Sequence, residues 1–171
     1  MMTEPCGSGT ERVWQVSRQI PSDYVINIQA DMPLVNPVHI EKIIALLDKG
    51  PELVTLATPI HKPEMALQPH FVKVVLDQDE NALYFSRASI PIGGPWLLHL
   101  GVYGFTREAV NRVCGLANGI LAPAEDLEQL RWLEAGHSIR VGCVEHAEPC
   151  VDTPKQLECM IKRFESRELS I

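Results

Sequence analysis

The sequence has no run of about five or six like charges, so neither an acidic tail nor a basic arm is written into it. Its formal charge is −7, from 22 acidic and 15 basic residues. Nucleic acid is therefore disfavoured as a partner, because such binders concentrate cations to displace phosphate counterions. An anionic substrate must be held by a local set of donors rather than by the field of the whole molecule. No apolar stretch approaches the ~20 residues that span a bilayer, so no membrane partner is expected. None of the five cysteines (Cys6, Cys114, Cys143, Cys150, Cys159) forms a Cys-x-x-Cys pair. With their odd number and no secretory signal at Met1, free thiols and a cytoplasmic location are expected.

What is present is the composition of one globular domain: 171 residues, 46% of them hydrophobic. That is enough for one sizeable core, and there are no repeats and no low-complexity linker. Strand-like and helix-like stretches alternate. Tyr24 to Ile28 reads as a buried strand, and Val38 to Lys49 as a helix with Ile40, Ile43, Ile44 and Leu47 at helical spacing, stopped by Gly50-Pro51. Leu53 to Ala57 is a further strand. Val72–Leu76 and Ala82–Phe85 flank the polar turn 77–81 and read as a hairpin. Gly101 to Phe105 is a short flat stretch before a helix starting near Thr106. A helix is expected after Pro123, with Leu127, Leu130 and Leu133 inward and Gly136 as its stop. Ile139 to Val144 is a strand, and Thr153-Pro154 opens a last helix as N-cap and first residue. Alternation with one inserted hairpin argues an α/β fold with a mixed sheet.

Ligands in open α/β sheets bind at the carboxyl ends of strands, which draws attention to Asn27-Ile28-Gln29-Ala30-Asp31-Met32-Pro33. Asp31 either faces that crevice or merely begins a turn before Pro33. Asp152 in Val151-Asp152-Thr153-Pro154 can be a ligand or a partner for the helix dipole. Two aspartates from separate strand ends suit magnesium, which takes one or two carboxylates plus substrate phosphates. His99-Leu100-Gly101-Val102-Tyr103-Gly104 joins two hydrogen-bonding side chains to two glycines, although a core Tyr and a satisfied His fit the pattern equally. Glu125 to Arg131 can be the solvated face of an amphipathic helix. Lys73 and Arg87 read as charges that protect an edge strand.

Taken in order, several stretches resemble the 3-deoxy-D-manno-octulosonate (Kdo) cytidylyltransferases, the CMP-Kdo synthetases. They are Ser8-Gly9-Thr10-Glu11-Arg12, Asn27 to Pro33, Pro59-Ile60, Val72 to Asp77, Tyr84 to Pro91, His99 to Phe105, Leu127 to Arg131 and Val151 to Pro154. The resemblance implies a single Rossmann-like nucleotidyltransferase domain over 1–171 that lacks its N-terminal CTP-binding segment. It implies transfer of CMP from CTP to Kdo, with release of pyrophosphate, for lipopolysaccharide synthesis. Asp31 and Asp152 would be the catalytic Mg2+ ligands, and Gln29, His99, Tyr103, Glu128 and Gln129 the sugar-acid contacts. Ser8, Gly9, Thr10 and Arg12 would close the nucleotide pocket. A homodimer through 71–98 is also implied.

Three departures accompany the resemblance. Where the family has Gln-Gly-Asp-Glu-Pro, this chain has Ala30 and Met32 around Asp31. The link 92–98 is short. The family's opening strand and its Pro-Ala-Arg…Arg-Leu-Pro-Gly-Lys-Pro-Leu loop are absent, so the site is expected to be short of donors for phosphate charge and the first βα units to be missing. The alternatives are an inactive, truncated paralogue serving as a dimerising or sugar-binding remnant, and a sialic acid cytidylyltransferase. Leu127 to Arg131 and His99-Leu100-Gly101 favour Kdo.

Overall fold

The four longer helices start at side chains that satisfy otherwise orphaned amides. Ser8 caps α1 (Gly9–Ser17) by accepting from the Glu11 amide, and Asn36 caps α2 (Pro37–Leu47) by accepting from that of Val38. Strand β1 (Tyr24–Asn27) lies between them. Next come β2 (Leu53–Ile60), the short α3 (Pro63–Ala66), the hairpin β3 (Lys73–Leu76) and β4 (Ala82–Ser86), and the long β5 (Trp96–Thr106). Thr106 caps α4 (Arg107–Cys114), and the chain closes with α5 (Leu121–Glu125), α6 (Leu130–Glu134), β6 (Arg140–Cys143) and α7 (Pro154–Glu165). Thr153 caps α7 through the Gln156 amide, with Pro154 at the first helical position. The computed structural model describes residues 3–151 and 153–166.

The sheet is mixed, in the order β4-β3-β5-β2-β6. Strand β2 runs antiparallel to β5 on one side and parallel to β6 on the other. The opposite edge of β5 is shared: β1 pairs with Tyr103–Thr106, and β3 with Leu97 and Leu98. The turn at 77–81 is closed by Asp77, whose carboxylate accepts from the Asn81 amide and side chain and from the Asp79 amide. Those bonds, Asn81's first, hold its carboxyl below the usual range. The Ala82 amide donates to Ile139 O at 2.8 Å and the Val141 amide to Glu80 O at 2.9 Å. The hairpin thus reaches the strand at the far end of the order, and the sheet curls. The α/β class and inserted hairpin expected from the sequence are both present.

Two apolar layers cover the sheet. On one face Ile43, Leu46 and Leu47 of α2 pack against Val54, Leu56, Leu100 and Val102. On the other, Phe85, Tyr103, Phe105, Val110, Trp132 and Ile139 form the larger cluster. Trp132 stands edge-on to Tyr103 and Phe105, with centroids 5.1 and 5.5 Å away. Helix α2 approaches the sheet so closely that a Cβ on Gly104 would overlap Ile43 Cγ2. Gly104→Ala is expected to destabilise the fold by about 1–2 kcal/mol through overpacking. Urea unfolding checks this, with a lower midpoint at unchanged slope as the expected result.

Two readings are corrected. The helix expected after Pro123 is two short helices: Pro123 lies inside α5, and Asp126, at φ 54°, ends it. The Leu127 amide then turns back to Ala122 O at 3.1 Å, which buries Leu127 without continuing the helix. Gly136, at φ +83°, is the stop that was expected. Lys73 is no edge charge. Strand β4 lies outside β3, so Lys73 is fully buried, and its Nζ donates to the carbonyls of Gln68, Phe71 and Arg87 at 3.2, 2.6 and 2.6 Å.

Candidate functional site

Beyond β1 the chain turns at once, with the Met32 amide donating to Gln29 O at 3.1 Å. Met32 is buried among the residues under α2, which anchors the turn from below. Asp31 is left exposed at its tip, with its carboxylate unpaired among the described residues. Its backbone carbonyl accepts from the Val151 amide at 2.9 Å, which ties this turn to the segment leading into α7. Asp152, the other expected ligand, lies outside the described residues. Among the described residues no three His, Cys, Asp or Glu side chains gather as a metal cluster.

Gln29, Asp31 and His99 line a cleft of about 740 Å³. His70 and Phe71 form another part of its wall, and Lys155 and Arg163 reach it from α7. The sequence reading did not single out those two cations. Their spacing of eight residues, about two helical turns, puts them on one face and was legible.

His99 is locked on three sides. Its ring makes a T-shaped contact with Phe85 at 4.9 Å and 74°, Tyr103 lies 5.4 Å away, and Nε2 is 3.0 Å from Thr55 Oγ1. Its apolar surroundings pull its pKa down to about 3 by desolvation. The imidazole is neutral across the physiological range.

Several of the remaining expected residues form a second polar group beside the cleft. Ser8 Oγ donates to Glu128 Oε1 at 2.6 Å and Thr10 Oγ1 to Glu128 Oε2 at 3.0 Å. Arg131 Nη2 donates to Glu128 Oε1 at 3.1 Å, and Asn27 Nδ2 to Thr10 Oγ1 at 3.1 Å. Gln129 and Arg131 are buried, so this stretch is not a solvated face. Both Glu128 oxygens are engaged within the protein, where the resemblance implied a sugar contact.

Tyr103, also buried, joins the two groups. Desolvation first, and then the nearby Glu128 charge, raise its pKa well above the usual value. On the other side Gln29 runs between two glycines: a Cβ on Gly9 would lie 3.1 Å from Gln29 Oε1, and one on Gly101 3.5 Å from Gln29 Cγ. Gly9, Gln29, His99, Tyr103 and Glu128 therefore form one continuous band. Arg12 is not brought into it; it is exposed and donates to Thr3 Oγ1 at 2.8 Å, beside a separate groove with Tyr24 and Val25. A further pocket at the opposite end of β2 and β6 holds Lys49, Arg112, His137 and Arg140. Lys49, Arg112 and His137 stand at the C-terminal ends of α2, α4 and α6, where cations complement the helix dipoles.

A profile of the family described as cytidylyltransferase matches residues 1–139. The chain is 41% identical over 168 residues to the 8-amino-3,8-dideoxy-manno-octulosonate cytidylyltransferase of Shewanella piezotolerans, covering 92% of this chain and 69% of that protein. It is 42% identical over 166 residues to the 3-deoxy-manno-octulosonate cytidylyltransferase of an Anaeromyxobacter species, covering 92% and 68%. Among solved structures it is similar to CMP:2-keto-3-deoxy-manno-octonic acid synthetase complexed with CTP. That match has a TM-score of 0.87 and 34% identity, over 96% of this chain and 70% of that one.

Proposed function

The chain belongs to the cytidylyltransferase family, and on that premise we propose that it transfers CMP from CTP to a sugar acid of the manno-octulosonate type, Kdo by our reading, for lipopolysaccharide synthesis. The anomeric hydroxyl of the sugar acid attacks the α-phosphorus, the bond to the bridging oxygen breaks, and pyrophosphate leaves. The observation that carries this reading is the band from Gly9 to Glu128, which sets fixed hydrogen-bonding groups from four segments beside the cleft that holds Asp31. A polyol needs such a set to hold one hydroxyl in line for attack.

Asp31 fits a divalent cation because its carboxylate is exposed to the cleft and unpaired among the described residues. We assign it as a ligand of Mg2+, with Asp152 as the second by our sequence reading. When bound, the ion supplies charge neutralisation at the phosphate oxygens. Lys155 and Arg163 bring two more positive charges to the same cleft. Neutral His99 and Gln29 orient the sugar acid, and Tyr103 with Glu128 shapes the inner end of the band. Ser8, Gly9 and Thr10 hold the α1 turn against Glu128 on the nucleotide side.

Dimerisation through 71–98 is supported by exposed apolar residues there, Leu83 and Ile92. No disulfide joins the five cysteines among the described residues, which fits a reducing cytoplasm. No helix among the described residues is long and apolar enough to cross a membrane.

Pyrophosphate release with CTP and Mg2+ tests the reading. Release is expected with Kdo and with its 8-amino analogue, and at least about a hundredfold less with a sialic acid, whose different ring substituents leave polar groups of the site unpaired. A preference for the sialic acid would overturn it.

A further inference from the structure

Strand β5 is irregular where it passes the cleft. Its pairing with β2 jumps from Thr55↔Tyr103 to Leu56↔Leu100, so Gly101 and Val102 bulge out of register. The side chain that fills this bulge is Thr55, which is fully buried. Its Oγ1 lies 3.1 Å from Leu100 O, 2.8 Å from Val102 O and 3.0 Å from His99 Nε2.

A hydroxyl has one hydrogen and two lone pairs, whereas a carbonyl oxygen can only accept. Spending the Thr55 hydrogen on Val102 O, the shorter contact, or on Leu100 O lets Oγ1 make two bonds, whereas spending it on Nε2 leaves one bond and two carbonyls facing lone pairs. In the two-bond arrangement what remains toward His99 is a lone pair, so Nε2 must be the protonated nitrogen and the donor. A neutral imidazole carries one N–H, which leaves Nδ1 as an acceptor. Among the described residues nothing pairs with Nδ1, and His99 lines the cleft. Phe85 and Tyr103 pack against the ring and hold its plane, with Nε2 at Thr55.

We propose that Thr55 is a positioning residue that fixes His99 as the Nε2–H tautomer, so that the ring offers the cleft a hydrogen-bond acceptor and selects a donor group of the ligand. This rests on the reading of the cleft as the sugar-acid site. Within that reading His99 receives an O–H of the sugar, or an N–H of an amino-substituted one. It does not contact the sugar's carboxylate or a phosphate, which present only acceptors.

Long-range proton–nitrogen NMR on the histidine-labelled protein tests it. The chain has six histidines, and loss of one signal set in His99→Gln assigns the ring. The expected wild-type pattern is a protonated Nε2 and an unprotonated Nδ1, unchanged from about pH 6 to pH 8, a range in which an unperturbed ring would titrate. Thr55→Val removes the acceptor and is expected to shift the ring toward the Nδ1–H form. It should also weaken sugar-acid binding about tenfold, the scale of one lost hydrogen bond. Thr55→Ser is expected to restore both.

A wild-type ring that is charged or carries its proton on Nδ1 overturns the assignment, even if Thr55→Val fails to fold. An unchanged tautomer in Thr55→Val overturns it as well. The site reading fails separately: saturating Kdo should move the wild-type Nδ1 signal. A correct tautomer with no such movement leaves Thr55's role standing and removes the sugar acid from this cleft.

Discussion

Asp31→Asn is expected to lose about a thousandfold or more in turnover while unfolding like the parent protein. Removing partners that only support a metal's ligands costs on the order of 10–100-fold, so loss of a ligand itself should exceed that. The fold should not notice the change. Asp31 is exposed, its carboxylate makes no hydrogen bond or ion pair among the described residues, and the turn is held by backbone bonds to Gln29 and Val151 and by buried Met32. The side-chain amide keeps the shape and removes only the charge. Two measurements are needed: kcat by pyrophosphate release, and CTP affinity titrated with and without Mg2+. The expected result is collapse of kcat together with loss of the metal's effect on CTP affinity. Turnover within a few-fold of the parent would remove Asp31 from the metal site, and an unaltered Mg2+ effect would show that the metal is held elsewhere.

Local pattern made much of this architecture readable. The cap at Thr153, the polar turn at 77–81 and the stop at Gly136 each announce themselves within a few residues, and each is where it was expected. The same holds for Asp31, because a carboxylate just past a buried strand has few places to go but the strand-end crevice. What could not be read is non-local. Ser8 and Glu128 are 120 residues apart, and nothing in either segment says that the carboxylate turns inward to meet the other's hydroxyl. Arg12 shares a motif with Thr10, yet it turns to Thr3 rather than to Glu128, because positions two apart on a helix lie on different faces. The leucines at 127, 130 and 133 have helical spacing although the last helix begins only at Leu130, since spacing counts positions and is blind to the left-handed residue at Asp126.

Lys73→Met is expected to destabilise the protein by about 2–4 kcal/mol at neutral pH, with the loss growing as the pH rises toward 10. The thioether fills much of the lysine's volume but cannot donate, so the carbonyls of Gln68, Phe71 and Arg87 lose their shared partner. Each unsatisfied buried acceptor costs about 1–3 kcal/mol, partly offset because the ammonium no longer has to be desolvated. That offset gives the pH dependence its sign. Burial lowers the Lys73 pKa from 10.5, with Glu125 partly opposing the shift. Between the lowered folded value and the unfolded one, the unfolded chain binds more protons, so Lys73's contribution to stability rises with pH there. The parent and the variant share every other titrating group, so the difference between their denaturation curves isolates this one. A gap that narrows as the pH rises would mean that the folded state favours the ammonium, whose three N–H groups match the three carbonyls, over the neutral amine, which has two. The effect should also be seen locally, because two of the three bonds restrain the segment that carries His70 and Phe71 into the cleft. Faster amide exchange across residues 68–72 than in β2 and β6 is the expected accompaniment, and it joins a stability defect in the sheet to the shape of the site.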